Sequence, residues 1–169
     1  MNLRPTSMDR ATFAATIGPV FEHSPWIAEA AWDAGLPTAA DTAAGVHRAL
    51  CAALAPAAPE RKLALIRAHP DLAGKLAQAG RLTAESTHEQ ASAGLNQLTD
   101  EERATFTGLN DAYTTKFGFP FIIAVKGLSK ADILASFQQR ISNARDTELE
   151  TALAQVERIA LLRLKDMLP

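Results

Sequence analysis

The sequence predicts an all-α protein, read as a single domain spanning 1–169. The expected architecture is a bundle of about eight to nine helices with one short buried extended segment. Three observations lead there. Apolar residues recur at three- and four-residue spacing through most of the chain, the period of a helix face. These stretches open at capping signals and close at glycine or proline, as from Thr99-Asp100-Glu101-Glu102 to Gly118. One stretch, Gly118 to Gly127, is apolar on both faces, and no second strong strand is there to pair with it.

The elements follow in order. Residues 1–8 read as a lead. Helical period begins near Asp9, with Phe13, Ile17 and Val20 on one face, and Gly18-Pro19 breaks it. Ser24-Pro25-Trp26 combines a capping serine with a proline suited to a first turn. That helix reaches Ala34, burying Trp26, Ile27 and Ala30. Asp41 is expected to cap a helix through Val46, Leu50 and Leu54. Pro59 opens a helix to Ala68 with Leu63, Leu65 and Ile66 inward. Pro70 disfavours helical backbone at His69, so the helix ends there and Asp71 starts a short one toward Gly80. Thr83 caps Ala84 to Leu95. The Thr99–Glu102 capping box opens a helix to Phe117, with Phe106, Leu109 and Tyr113 on its inner side. After the extended segment, Ser129 and Asp132 cap a helix to Asn143. The last helix runs from Thr147 to Met167 along Leu149, Leu153, Val156, Ala160 and Leu164.

Composition narrows the function classes. Hydrophobic residues make up 47% of the 169 and charged residues 21%, with a net charge of −2. No basic stripe suggests nucleic acid. No apolar run approaches the ~18 residues of a membrane span. Arg4, Asp9 and Arg10 interrupt any signal-peptide core, and the C-terminus lacks a peroxisomal address, so the cytoplasm is the expected location. The single cysteine, Cys51, lies in an apolar run and reads as a buried inert thiol.

Four constellations carry possible chemistry. The first is His69 at its helix–helix junction, where an imidazole titrating near neutrality can transfer protons. A surface corner with an incidental histidine fits the same local residues. The second is Ser86-Thr87-His88-Glu89-Gln90, which places Ser86, Glu89 and Gln90 on one helix face. A hydroxyl, a carboxylate and an amide together suit a small molecule rich in hydrogen-bonding groups; a solvated face is the competing reading, and His88 lies on another side. The third is Phe121-Ile122-Ile123-Ala124-Val125, either plain core or a pocket wall offering backbone groups. The fourth is Arg158 or Arg163, whose planar fork suits a carboxylate and equally a surface ion pair. The four histidines are scattered without metal-ligand spacing, and no dinucleotide, phosphate-loop or serine-elbow motif is present.

In this order the motifs resemble the 2-oxo-4-hydroxy-4-carboxy-5-ureidoimidazoline (OHCU) decarboxylase family. The likeness rests on His69-Pro70-Asp71-Leu72-Ala73-Gly74, on Ser86 to Gln90 followed by Ala93-Gly94-Leu95, and on Phe117 to Ile122 leading to Val125-Lys126-Gly127. Phe21-Glu22-His23-Ser24-Pro25-Trp26 and Ile159 to Leu164 resemble the family's ends. The resemblance implies an all-α enzyme of urate degradation, without metal or organic cofactor, acting as a homodimer on a small ureidoimidazoline. It implies His69 as proton donor and Glu89 as essential. It also implies substrate contacts at Pro70, at Ser86, Thr87, His88, Glu89 and Gln90, at Phe121, Ile122, Ile123, Ala124 and Val125, and at Arg163.

The implied chemistry suits these residue types. The substrate carries its carboxylate beside a ring C=N that accepts the electrons released with carbon dioxide, so it supplies its own electron sink. The protein must orient the ring, stabilise developing charge and deliver one proton to one face. Glu89 would fix the tautomer of His69 or take the hydroxyl proton, Ser86 and Gln90 would hold ring or ureido amides, and the amides of Ile123 to Val125 would meet ring oxygens. Two other readings use the same residues: a non-catalytic helical module that binds a ureide or acts as an adaptor, and a hydrolase of a related ureide.

Overall fold

A computed structural model describes residues 2–74 and 80–169. Among these residues there is no strand, and the helices are α1 (Arg10–Ile17), α2 (Trp26–Asp33), α3 (Ala43–Leu54), α4 (Pro59–Ala68), α5 (Ala84–Ser92), α6 (Asp100–Phe117), α7 (Lys130–Arg140) and α8 (Arg145–Met167). The all-α expectation holds. The short helix expected after Asp71 falls largely on 75–79, outside the described residues; Leu72 and Ala73 form a turn.

The chain folds as two compact units, one of residues up to Ala68 with Val156–Pro169, the other His69–Gln155. In the first, α1 packs on α2 and α2 on α3. Their facing side chains, Phe13, Ile17, Ile27, Val46, Leu50 and Leu54, are wholly buried. Each such side chain contributes about 1.5–3 kcal/mol through removal from water. The apolar face of the first helix is the one its spacing predicts. On α2 the buried set is Ile27, Ala28 and Ala31, while Trp26 and Ala30 are half-buried. Arg61 lies over the Trp26 ring at 4.0 Å, which keeps one side of the indole covered.

Two caps differ from expectation. Ser24 does not cap α2; its hydroxyl donates to the Glu22 carbonyl at 2.9 Å, and Pro25 stands at the helix entrance. Thr42, not Asp41, caps α3, accepting the Gly45 N–H at 3.1 Å. Asp41 instead accepts from the Thr6 N–H and hydroxyl and pairs with Arg4 at 3.5 Å. Gly45 is needed at that point, because any side chain there would overlap the Ala39 carbonyl.

In the second unit, α6 packs against α7. The Thr99/Glu102 and Ser129/Asp132 capping boxes form as their sequences predict. Gly118 ends α6 in left-handed backbone at φ 79. At the centre lies a cluster of aromatic rings. Phe121 stacks on Phe137 at 3.9 Å, and Tyr113 meets Phe119, Phe121 and Phe137 edge-on. Glu148, fully buried near the start of α8, accepts from Tyr113 Oη at 2.6 Å, Arg140 Nε at 2.7 Å and Asn143 Nδ2 at 3.0 Å.

Candidate functional site

Helix α4 ends at Ala68, where Pro70 requires it to, and His69 follows in a bend. His69 is 6% exposed, so it is a buried histidine and not an incidental surface corner. The chain after it is tightly specified. Ala73 stands at φ 50, a left-handed conformation that an alanine adopts only when neighbours hold it there. A side chain at Gly74 would come within 2.6 Å of the Asp71 Cβ.

Two carboxamides hold this turn. Gln90 Oε1 accepts the Ala73 N–H at 2.9 Å, and Gln90 Nε2 donates to the Asp71 carbonyl at 3.3 Å. Asn110 of α6 donates from Nδ2 to the Leu72 carbonyl at 2.9 Å. The His69–Pro70 junction is thereby tied to α5 on one side and α6 on the other.

Helix α5 is capped by Thr83, whose hydroxyl accepts the Ser86 N–H at 3.2 Å. Its inner face is the one the spacing predicts: Ser86 and Gln90 are buried and Glu89 is half-buried. Thr87 and His88 are exposed, and the Thr87 hydroxyl donates to the Thr83 carbonyl at 2.8 Å. A cavity of about 380 Å³ adjoins this helix, lined by Ala73, Leu82, Thr87, Gln90, Leu95 and Arg103 among others. It is large enough for a small ligand, yet His69, Ser86, Glu89 and the Phe121–Val125 stretch do not line it.

The Phe121–Val125 stretch has neither helix nor strand partner, and side chains serve its backbone instead. Arg140 Nη1 donates to the Ile122 carbonyl at 2.7 Å, and the Ala124 N–H donates to Gln155 Oε1 at 2.9 Å. The Ala124 amide, expected to be available to a ring oxygen, is therefore engaged within the protein. The Phe121 side chain is core, stacked on Phe137 with the Arg140 guanidinium 4.3 Å from its ring. Ile123 is half-buried, and neither its N–H nor its C=O has a hydrogen-bond partner among the described residues.

Of the two arginines weighed from sequence, Arg158 is exposed and Arg163 is 6% exposed. Arg163 belongs to the first unit, where Nη2 meets Glu22 Oε1 at 3.1 Å and Nη1 approaches the Pro19 and Val20 carbonyls at 3.5 and 3.4 Å. Sequence reading missed Asn110, Arg140, Glu148 and Gln155. Asn110 and Glu148 had a signal: each falls on the buried stripe of its helix, Asn110 between Phe106 and Tyr113, and Glu148 four residues before Ala152. Among the described residues no group of three His, Cys, Asp or Glu side chains is arranged to hold a metal ion.

The sequence profile of the OHCU decarboxylase family matches residues 6–165. The chain is 40% identical to the 2-oxo-4-hydroxy-4-carboxy-5-ureidoimidazoline decarboxylase of Halalkalicoccus jeotgali over 94% of its own length and 86% of that protein's. It is 38% identical to the protein of the same name from Haloferax volcanii, over 94% of this chain and 90% of that one. Its fold superposes on a crystal structure of (S)-allantoin synthase with a TM-score of 0.77 at 32% identity, covering 97% of this chain and 52% of that one, so it spans about half that solved chain. Profile, relatives and fold agree: the chain belongs to the OHCU decarboxylase family.

Proposed function

We propose that this protein decarboxylates 2-oxo-4-hydroxy-4-carboxy-5-ureidoimidazoline to (S)-allantoin, a step of urate degradation, with His69 as the proton donor. One structural observation carries the site assignment. Gln90, from the helix that bears Ser86 and Glu89, is bonded on both sides to the turn that follows His69-Pro70. Hydrogen bonds from Gln90 thus link the turn after His69-Pro70 to the helix face that carries Ser86 and Glu89, which supports the reading.

The C–C bond to the carboxylate breaks and carbon dioxide leaves. Its electron pair passes into the adjacent C=N, leaving an enol whose neighbouring ring carbon then takes a proton. His69 supplies that proton to one face, which sets the handedness of the product, and general acid–base assistance of this kind supplies about 100- to 10,000-fold. Glu89 fixes the tautomer of His69 or takes the hydroxyl proton. Burial suits the step, since a water-poor surrounding strengthens each polar contact to the developing charge. Pro70 forms part of the wall beside the imidazole. Ser86 hydrogen-bonds the ring or ureido group, with Thr87, His88 and Gln90 completing that stretch. Ile123 offers an N–H and a C=O, Val125 an N–H, and Phe121, Ile122 and Ala124 hold that backbone in place. Arg163 receives the carboxylate.

The reading includes a homodimer in the cytoplasm. No helix among the described residues is long and apolar enough to cross a membrane. Freshly generated substrate followed by circular dichroism tests the activity. The expected result is (S)-allantoin formed well above the spontaneous rate; racemic product at the spontaneous rate would overturn the proposal.

A further inference from the structure

The backbone from Ile122 to Val125 is recruited unevenly. In an extended chain, the C=O of one residue and the N–H two residues later point to the same edge, and the residue between them points its own N–H and C=O to the other. The two side-chain bonds to this stretch follow that rule. Arg140 takes the Ile122 carbonyl at 2.7 Å, and Gln155 takes the Ala124 N–H at 2.9 Å. Both therefore hold one edge. The opposite edge carries the Ile123 N–H, the Ile123 C=O and the Val125 N–H, none with a hydrogen-bond partner among the described residues.

We infer that Gln155, with Arg140, is a positioning residue that selects which edge of this stretch meets the substrate. The inference rests on the decarboxylase reading and adds to it. Held edge and offered edge are two sides of one backbone, so a shift that frees Ala124 also turns Ile123. The Ile123 N–H and C=O of the offered edge are complementary to a ring that presents a carbonyl beside an N–H, the feature shared by cyclic ureides, and the Val125 N–H adds a donor for a second ring oxygen. A sheet edge recognises a peptide through the same alternation.

Why two side chains do this work follows from the sequence. Gly118-Phe119-Pro120 delivers the chain away from α6 with no neighbouring strand, so its amides have no ladder to join. A buried amide without a partner is costly, and a side-chain carbonyl on α8 is the available substitute. Arg140 is itself fixed by Glu148 at 2.7 Å and by the Phe121 ring at 4.3 Å. Gln155 makes no second side-chain hydrogen bond among the described residues, so it can be changed with less disturbance to the buried cluster.

The test is a pair of substitutions in the full-length protein. Gln155→Leu removes the acceptor at similar size; Gln155→Glu keeps an oxygen for the Ala124 N–H. Steady-state kinetics with freshly generated substrate are read beside thermal unfolding. Gln155→Leu is expected to raise KM about 5- to 20-fold, the range that corresponds to one lost hydrogen bond of ordinary to buried strength. Its kcat should stay within about threefold of the parent, its kcat pH profile should not move, and Gln155→Glu should restore KM. A purely structural role would lower the unfolding temperature and the active fraction at unchanged KM. An unchanged KM in Gln155→Leu, or failure of Gln155→Glu to restore it, overturns the inference. If the parent protein itself makes no (S)-allantoin, the decarboxylase reading fails instead, and the two failures are told apart by that control.

Discussion

Gln90 holds Ala73 in a left-handed conformation: its Oε1 accepts the Ala73 N–H at 2.9 Å while the residue stands at φ 50. Strain of this kind persists only where the surroundings overdetermine it. Here the surroundings are Gln90 on α5 and Asn110 on α6, and what they fix is the turn immediately after His69-Pro70.

Gln90→Ala should therefore act through the position of His69. The substitution removes the Gln90 bonds to the Ala73 N–H and the Asp71 carbonyl, which costs about 1–3 kcal/mol for buried groups. Relaxation of the turn by about an ångström is enough to lower kcat on the order of 100-fold. Urea unfolding and steady-state kinetics check both figures. A fall in substrate affinity alone, with kcat unchanged, would show that Gln90 serves the substrate and not the turn.

The buried pair of Glu148 and Arg140 should dominate the stability of the second unit. Glu148 is fully buried and satisfies Tyr113, Arg140 and Asn143 together. Glu148→Leu leaves the Arg140 charge uncompensated and should cost about 3–5 kcal/mol in urea unfolding. The double variant Glu148→Leu, Arg140→Met should cost less than the single one, because no buried charge is then left unpaired. Equal or additive losses would contradict this account of the pair.

Alkaline pH should weaken the fold through Cys51. Burial, with the Glu157 charge adding to it, pushes the Cys51 thiol from its ordinary 9.0 up to about 12. A group whose folded pKa lies above its unfolded one stabilises the fold below the unfolded value, and that contribution is lost as pH rises through the folded value. The window is thus from about 9 to about 12. Burial raises the Tyr113 hydroxyl in the same sense, and its hydrogen bond to Glu148 adds to the shift. Unfolding temperatures measured at pH 8 and pH 10.5 should fall more in the parent than in Cys51→Ala. At pH 8 iodoacetamide should label the folded protein far more slowly than the urea-unfolded chain. Cys51 is half-buried, less enclosed than its apolar run suggested, and rapid labelling of the folded protein would contradict the raised thiol pKa.

Much of this fold is legible in the sequence because its signals are local. The Thr99/Glu102 and Ser129/Asp132 boxes specify helix starts by themselves, and Pro70 ends α4 where the sequence says it must. Ser86 and Gln90 turn inward because they share a face at four-residue spacing. What local sequence could not supply was long-range pairing. Ser24 and Asp41 have the chemistry of caps, but Glu22 and Thr6 hold them elsewhere. The buried cluster joins Tyr113, Arg140 and Glu148 across three helices, and no spacing along the chain announces it. The same holds for Gln155, which faces an amide 31 residues away.

The central claim is that His69 delivers the proton that completes decarboxylation. The most direct measurement gives freshly generated substrate to His69→Ala and follows the circular dichroism of the product against the parent. The account predicts that the enzymatic rate of (S)-allantoin formation falls by about 100-fold or more, toward the slow spontaneous reaction that yields racemic product. Formation of (S)-allantoin at the parent rate by His69→Ala would contradict it.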